Sequence, residues 1–181
     1  SELETLEKSL RDVLKESRDS VEKLRKEVED TIKESEDSVT KLLKEIEDVI
    51  RRLEDLRRRG VPEEAIKKLV REVAEAVKEV LRRNRELNKR SNERAKEVVD
   101  RNRKLAEDLL DEIRKVLAKV TDEDVLRRIR RAAEEVRKVA KESVDRIRDL
   151  AARDNEVVER SLKKIEEVLR RIKKVADDVA R

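Results

Sequence analysis

The feature that most constrains this chain is an 18-residue repeat near its start. Residues 33–42 (KESEDSVTKL) restate residues 15–24 (KESRDSVEKL), with the same apolar and polar positions. Eighteen residues make five turns of an α-helix, so the pattern returns to the same helix face without drift. A strict seven-residue repeat would instead wrap the helix into a left-handed supercoil. The repeat therefore predicts long, nearly straight helices.

The composition agrees with a wholly helical chain. Charged residues make up 53% of the 181 positions, against about 25% in ordinary globular domains. The apolar residues are almost all Leu, Val, Ile and Ala at helical spacing, which indicates ordered helices rather than disorder. One Gly and one Pro leave little room for loops, and hence for a sheet. We predict an all-α fold.

Start and stop signals divide the chain into three helices. Ser1 and Glu4 form a capping box, and Gly60 supplies a left-handed C-cap. Pro62 opens the second helix, and residues 121–124 (TDED) are a second capping-type start. The predicted helices cover about 2–59, 62–120 and 122–181, each of about 58 residues.

The connections between these helices are short, so consecutive helices should be antiparallel. On a helical wheel, apolar and small residues occupy an arc of roughly 120° on the first helix and roughly 140° on the other two. Arcs of this width suit a bundle in which each helix touches two others. We predict a straight up-down-up three-helix bundle that forms a single domain over residues 1–181.

Polar residues interrupt the apolar stripe on all three helices. If the first two helices run antiparallel from the turn at Gly60, residue i of the first helix lies beside about residue 121−i of the second. If the third helix then turns back at Thr121, residue i of the first helix also lies beside about residue 122+i of the third. Two polar layers then recur one repeat apart: Ser17, Ser20, Asn102 and Ser143 form one, and Ser35, Ser38, Asn84 and Ser161 form the other. Between them fall Thr31, Asn88, Ser91, Asn92, Asp154 and, at the edge of its stripe, Asn155.

These coinciding heights predict a structural hydrogen-bond network. Buried amides and hydroxyls cost free energy unless they are paired, so shifted registers would leave unpaired groups. Asp154 lies near the centre of its stripe, and its expected donors are Asn88, Ser91 or Ser35. A binding pocket or an acid/base site is the weaker interpretation, because a lone carboxylate needs a catalytic partner and a cleft.

Several function classes are not expected. The net charge of +4 is spread over interleaved acidic and basic residues, whereas a nucleic-acid site concentrates basic residues on one face. No apolar run approaches the roughly 20 residues that cross a bilayer, and no signal peptide is visible. There is no His or Cys, and no glycine-rich phosphate loop. We expect a soluble, non-enzymatic protein without cofactor, metal, nucleic-acid, membrane or small-molecule partner, cytoplasmic in an expression host.

The untwisted repeat, the two turns and the Asn/Ser layers together resemble de novo designed helical bundles with modular buried hydrogen-bond networks. The resemblance covers the whole chain and implies a fold and a design purpose, but no active residues. Two functions follow from it. The favoured one is a rigid monomeric three-helix rod that serves as a scaffold. The alternative is an interaction module, one chain of a homo- or hetero-oligomer whose polar layers select the partner.

Overall fold

The computed structural model describes residues 2–60 and 62–179, and these form three long helices. The helices are α1 (Glu2–Arg59), α2 (Glu63–Leu117) and α3 (Glu123–Val179). No strand occurs in the described residues. The predicted all-α, three-helix bundle is therefore confirmed.

The turn between α1 and α2 is built as the sequence predicts. Gly60 has a φ of 68°, the left-handed conformation that suits a residue without Cβ, and its amide donates to the carbonyl of Arg57. Pro62 directly precedes α2, and its carbonyl accepts from the Ala65 amide at 3.1 Å. The predicted N-cap Ser1 and the last two residues of the predicted third helix lie outside the described residues.

The turn between α2 and α3 begins earlier than predicted. The amide of Lys119 donates to the carbonyl of Val116, three residues back, so the last turn tightens and α2 ends at Leu117 rather than near residue 120. Asp122 then caps α3, because its Oδ1 accepts from the amides of Asp124 at 2.9 Å and Val125 at 3.3 Å.

The chain divides into two compact units, each containing a segment of every helix. Unit 1 comprises Ser1–Val28 and Ser91–Ala152, and unit 2 comprises Glu29–Arg90 and Arg153–Arg181. The single domain over residues 1–181 stays a prediction.

The core of unit 1 draws on all three helices. It contains Leu6 from α1, Leu109 and Ile113 from α2, and Ile129 and Val136 from α3. The two residues of α2 are four positions apart and the two of α3 are seven apart, which places each pair on one face of its helix. Burial of each large apolar side chain stabilises the fold by about 1.5–3 kcal/mol.

The core of unit 2 is equivalent. Leu42 and Ile46 of α1 pack with Val77 of α2 and with Ile165 and Ile172 of α3. Among the described residues, every large apolar side chain is at least partly buried. None of the described helices is both long enough and apolar enough to cross a membrane.

Ion pairs between helices confirm the predicted heights to within about one turn. In unit 1, the expected partner of Glu27 on α2 is residue 94, and Arg94 binds Glu27 at 2.9 Å. In unit 2, residue 169 of α3 is expected opposite Glu47, and the observed partner of Glu47 is Arg171, two residues further, at 2.7 Å. One helical turn is about 5.4 Å, whereas a hydrogen bond requires about 2.7–3.2 Å between its heavy atoms, so this agreement does not establish the polar network.

Candidate functional site

The layer of Ser17, Ser20, Asn102 and Ser143 in unit 1, here the Asn102 layer, contains hydrogen bonds that join all three helices. Asn102 is buried, and its Nδ2 donates to Ser143 Oγ at 2.9 Å. The same nitrogen donates to the backbone carbonyl of Ser17 at 3.4 Å. One amide from α2 thus contacts α1 and α3, as an amide with two donor hydrogens can.

The Asn102 layer is nevertheless only partly paired. Asn102 Oδ1 is buried and has no hydrogen-bond partner. Ser20 Oγ donates its proton to the carbonyl of Glu16 in its own helix at 2.8 Å. That proton is therefore used within α1 and does not join two helices.

The layer of Ser35, Ser38, Asn84 and Ser161 in unit 2, here the Asn84 layer, is buried but largely unpaired. Neither Nδ2 nor Oδ1 of Asn84 has a hydrogen-bond partner, and Ser35 Oγ has none. Ser38 Oγ donates to the Ser35 carbonyl of its own helix at 2.9 Å. Asn84 is 1% exposed and Ser35 is 2% exposed, so the bulk solvent does not reach these groups. The network predicted for this layer is therefore not formed by Asn84 or by the Ser35 hydroxyl.

The six residues predicted between the two layers differ widely in exposure. Asp154 and Ser91 are buried, Thr31 and Asn88 are half-buried, and Asn92 and Asn155 are exposed. The placement of Asn92 in a core position is wrong, because this residue lies about 80° around α2 from the centre of the buried stripe of unit 1. Asn155, predicted at the edge of its stripe, faces solvent.

Asp154 lacks a donor that the sequence assigned to it. Its Oδ2 has no hydrogen-bond partner, and neither has Ser35 Oγ, so the predicted bond from Ser35 is wrong. The ion pair between Glu29 and Arg153, at 3.9 Å, shows which residues of α1 and α3 come level in unit 2. At that register Ser35 comes level with about residue 159, roughly 7 Å along the helix from Asp154.

Burial changes the acidity of Asp154. Desolvation raises the pKa of this carboxyl from its ordinary value of 3.8 to about 6, because the charged form is disfavoured away from water. Asp154 is 1% exposed, so a substrate in solution has no access to the carboxyl. Its chemistry in this structure is proton binding, coupled to the stability of the fold.

The described residues contain no cluster of three or more acidic side chains that could hold a metal ion. The buried polar groups of both layers are amides and hydroxyls, which donate and accept hydrogen bonds but do not act as acids or bases near neutral pH. In the Asn102 layer, where the amide is hydrogen-bonded to α1 and α3, these groups are suited to fixing helix register.

Sequence reasoning missed the ion pairs between helices. In unit 1, Arg94 binds Glu27, and Arg101 binds Glu16 at 2.6 Å. In unit 2, Arg83 binds Glu34 at 2.8 Å. The pairing of helices about the Gly60 turn places residue 94 opposite Glu27, so the sequence could have identified the bond between Glu27 and Arg94.

Comparisons with known proteins identify the fold. No protein-family model matches the chain, and no curated protein matches its sequence. Among solved structures, the chain is similar to one described as a computationally designed three-helix bundle, with a TM-score of 0.57. The alignment has 17% sequence identity and covers 98% of this chain and 82% of that chain. At this identity the likeness concerns the fold, and it agrees with the predicted resemblance to designed helical bundles.

Proposed function

We propose that this chain is a designed structural scaffold, a monomeric three-helix bundle that has no biochemical activity of its own. The observation that supports this most directly is the enclosure of both cores. Each unit packs segments of all three helices around its core, and every large apolar side chain described is at least partly buried. One chain thus supplies the contacts that an oligomer would otherwise draw from a partner.

In this proposal the Asn102 layer contributes to specificity more than to stability. A net hydrogen bond is worth only about 0.5–1.5 kcal/mol, whereas a buried group left unpaired costs about 1–3 kcal/mol. A slipped helix would separate Asn102 from Ser143 and from the Ser17 carbonyl, so the layer penalises that arrangement.

One observation favours the alternative, an interaction module. Asn84 and Ser35 have unpaired polar atoms in unit 2, and a partner helix that opened this unit could pair them. The buried positions of both residues oppose this, because such a partner would first have to separate a packed core.

The two functions differ in molar mass. Light scattering at micromolar protein concentration should give a mass near 21.4 kDa for the scaffold. The midpoint of thermal unfolding should also be independent of protein concentration. A mass of twice this value or more, with a midpoint that rises with concentration, would contradict the monomer and support the interaction module.

A further inference from the structure

An open groove on the surface of unit 1, between α2 and α3, is large enough to hold a small molecule. Its volume is about 430 Å³, within the range of about 300–1,000 Å³ found for ligand pockets. Ala106 and Leu110 of α2 and Ala140 and Val144 of α3 supply its apolar lining, and Asn102 contributes a polar group. All four apolar residues are buried or half-buried, so they form the floor between the two helices.

Two small residues that face each other, Ala106 and Ala140, create the groove. The hydrogen bond from Asn102 to Ser143 sets the register of the antiparallel helices, so Ala106 comes level with about residue 139, beside Ala140. One repeat away, the corresponding positions carry the larger residues Asn88 and Val158. The groove therefore depends on a local departure from the repeat.

The rim of the groove is charged and unpaired. It consists of Arg103, Glu107, Arg137, Lys141, Asp145 and Arg148. None of these six side chains forms a hydrogen bond or an ion pair with the described residues. Elsewhere in unit 1, Arg94 and Arg101 both form ion pairs with α1. The rim thus has cations whose charge is available to a ligand.

The charges are distributed unevenly along the groove. In the same register, Arg103 comes level with about residue 142, beside Lys141, so two cations face each other near the middle of the groove. Towards Leu110, Glu107 comes level with about residue 138, beside Arg137, and these opposite charges offset each other. In the other direction, Asp145 lies one turn from Lys141 and Arg148 lies about one turn further along α3. The rim has four cations and two acidic residues, so a single negative charge is attracted to the position between Arg103 and Lys141.

We propose that this groove binds a single-chain anionic amphiphile. The carboxylate or sulfate head lies between Arg103 and Lys141, and the alkyl chain covers Ala106 and Ala140 towards Leu110. The distance from these two cations to Leu110 is about 10 Å along the helices, which suits a chain of medium length. Each methylene removed from water adds to the affinity. This property goes beyond a scaffold function and would revise the prediction that the chain has no small-molecule partner.

Titration calorimetry with decanoate, below its micellar concentration, tests the proposal on protein whose mass has been measured. Decanoate should bind once per chain, and decyltrimethylammonium, which has the opposite charge on the same alkyl chain, at least about tenfold more weakly. The double variant R103E/K141E should weaken decanoate binding about tenfold. Ala140→Leu places a larger side chain in the groove at a half-buried position and should abolish saturable binding of decanoate.

A matched control separates the groove from general electrostatics. K104E/K138E makes the same change in net charge on the same two helices, at exposed positions that do not line the groove. It should leave the affinity within about twofold of the parent. No decanoate binding, equal affinity for the two amphiphiles, or equal weakening by both charge variants would overturn the proposal. Because each sample has a measured mass, these outcomes are distinct from a failure of the monomeric scaffold.

Discussion

The Asn102 layer of unit 1 and the Asn84 layer of unit 2 contain the same residue types at the same spacing, yet only one forms hydrogen bonds between helices. Asn102 joins Ser143 and the Ser17 carbonyl, whereas both polar atoms of the Asn84 amide are unpaired. Of the six buried side-chain polar atoms without a partner among the described residues, five lie in unit 2. Identical spacing in sequence therefore does not make two layers equivalent.

The difference follows from what a repeat can specify. A repeat of 18 residues fixes the height and the face of a side chain, to within about one turn between helices. A hydrogen bond requires about 2.7–3.2 Å between donor and acceptor and a nearly linear angle, which also depends on rotamer and on helix separation. Asn102 is followed one turn later by Ala106, and Asn84 by the polar Asn88, so their surroundings differ.

The largest effect is expected at Asp154, the carboxyl of unit 2 with an unpaired oxygen. At pH 7 the carboxylate is ionised in both states, and burial of its charge destabilises the fold. Because the folded pKa is raised from 3.8 to about 6, Asp154→Asn should increase the free energy of unfolding by up to about 3 kcal/mol at pH 7, measured by urea denaturation.

The pH dependence gives the control for this substitution. As the pH falls from about 6 to 3.8, the folded parent takes up the proton first and gains stability, so the advantage of Asp154→Asn should disappear across that window. A difference that persists unchanged at pH 3.5 would show that the buried charge is not the cause. Asp149→Asn, at an exposed position on α3, is the matched control and should change little.

A smaller effect compares two serines that are one repeat apart on α3. Ser143→Ala removes the acceptor of the Asn102 amide and should lower the free energy of unfolding by about 1 kcal/mol. Ser161→Ala occupies the equivalent position in unit 2, where the Asn84 amide has no partner to lose, and should change stability by less than about 0.5 kcal/mol. Equal losses from the two substitutions would mean that the layers are equivalent after all.

The smallest expected effect is the coupling energy of the ion pairs between α1 and α2 at the surface of each unit. Glu27 and Arg94 in unit 1 form a less exposed ion pair than Glu34 and Arg83 in unit 2. The hydrogen bond that Arg94 donates to the Glu27 carboxylate raises the pKa of Arg94. Double-mutant cycles with Ala should give coupling energies of about 0.2–1 kcal/mol, larger for the pair in unit 1. A larger coupling in unit 2 would reverse the comparison at the surface.

The sequence predicts the helices well because their signals are local. Gly60 lies next to the observed end of α1, and the acidic residues 122–124 lie at the observed start of α3. The apolar spacing identifies the residues of both cores. The register also follows, since short turns leave little freedom. The sequence placed Asn92 incorrectly, because one position around a helix moves a side chain by about 100°.

Pairing of the polar groups and the groove could not be predicted from the sequence. Both depend on how α2 and α3 pack around particular residues, such as the facing Ala106 and Ala140. The unpaired amide of Asn84 likewise depends on atomic distances that a pattern of residue types does not specify.

The most direct test of the difference between the layers is the free energy of unfolding of Asn84→Leu beside that of Asn102→Leu. Asn84→Leu removes two unpaired buried atoms and should stabilise the protein by about 1–3 kcal/mol. Asn102→Leu also removes two hydrogen bonds and leaves Ser143 without its donor, so it should be less stable than Asn84→Leu by at least about 1 kcal/mol. Equal stabilisation by the two substitutions, or a greater gain from Asn102→Leu, would contradict the account.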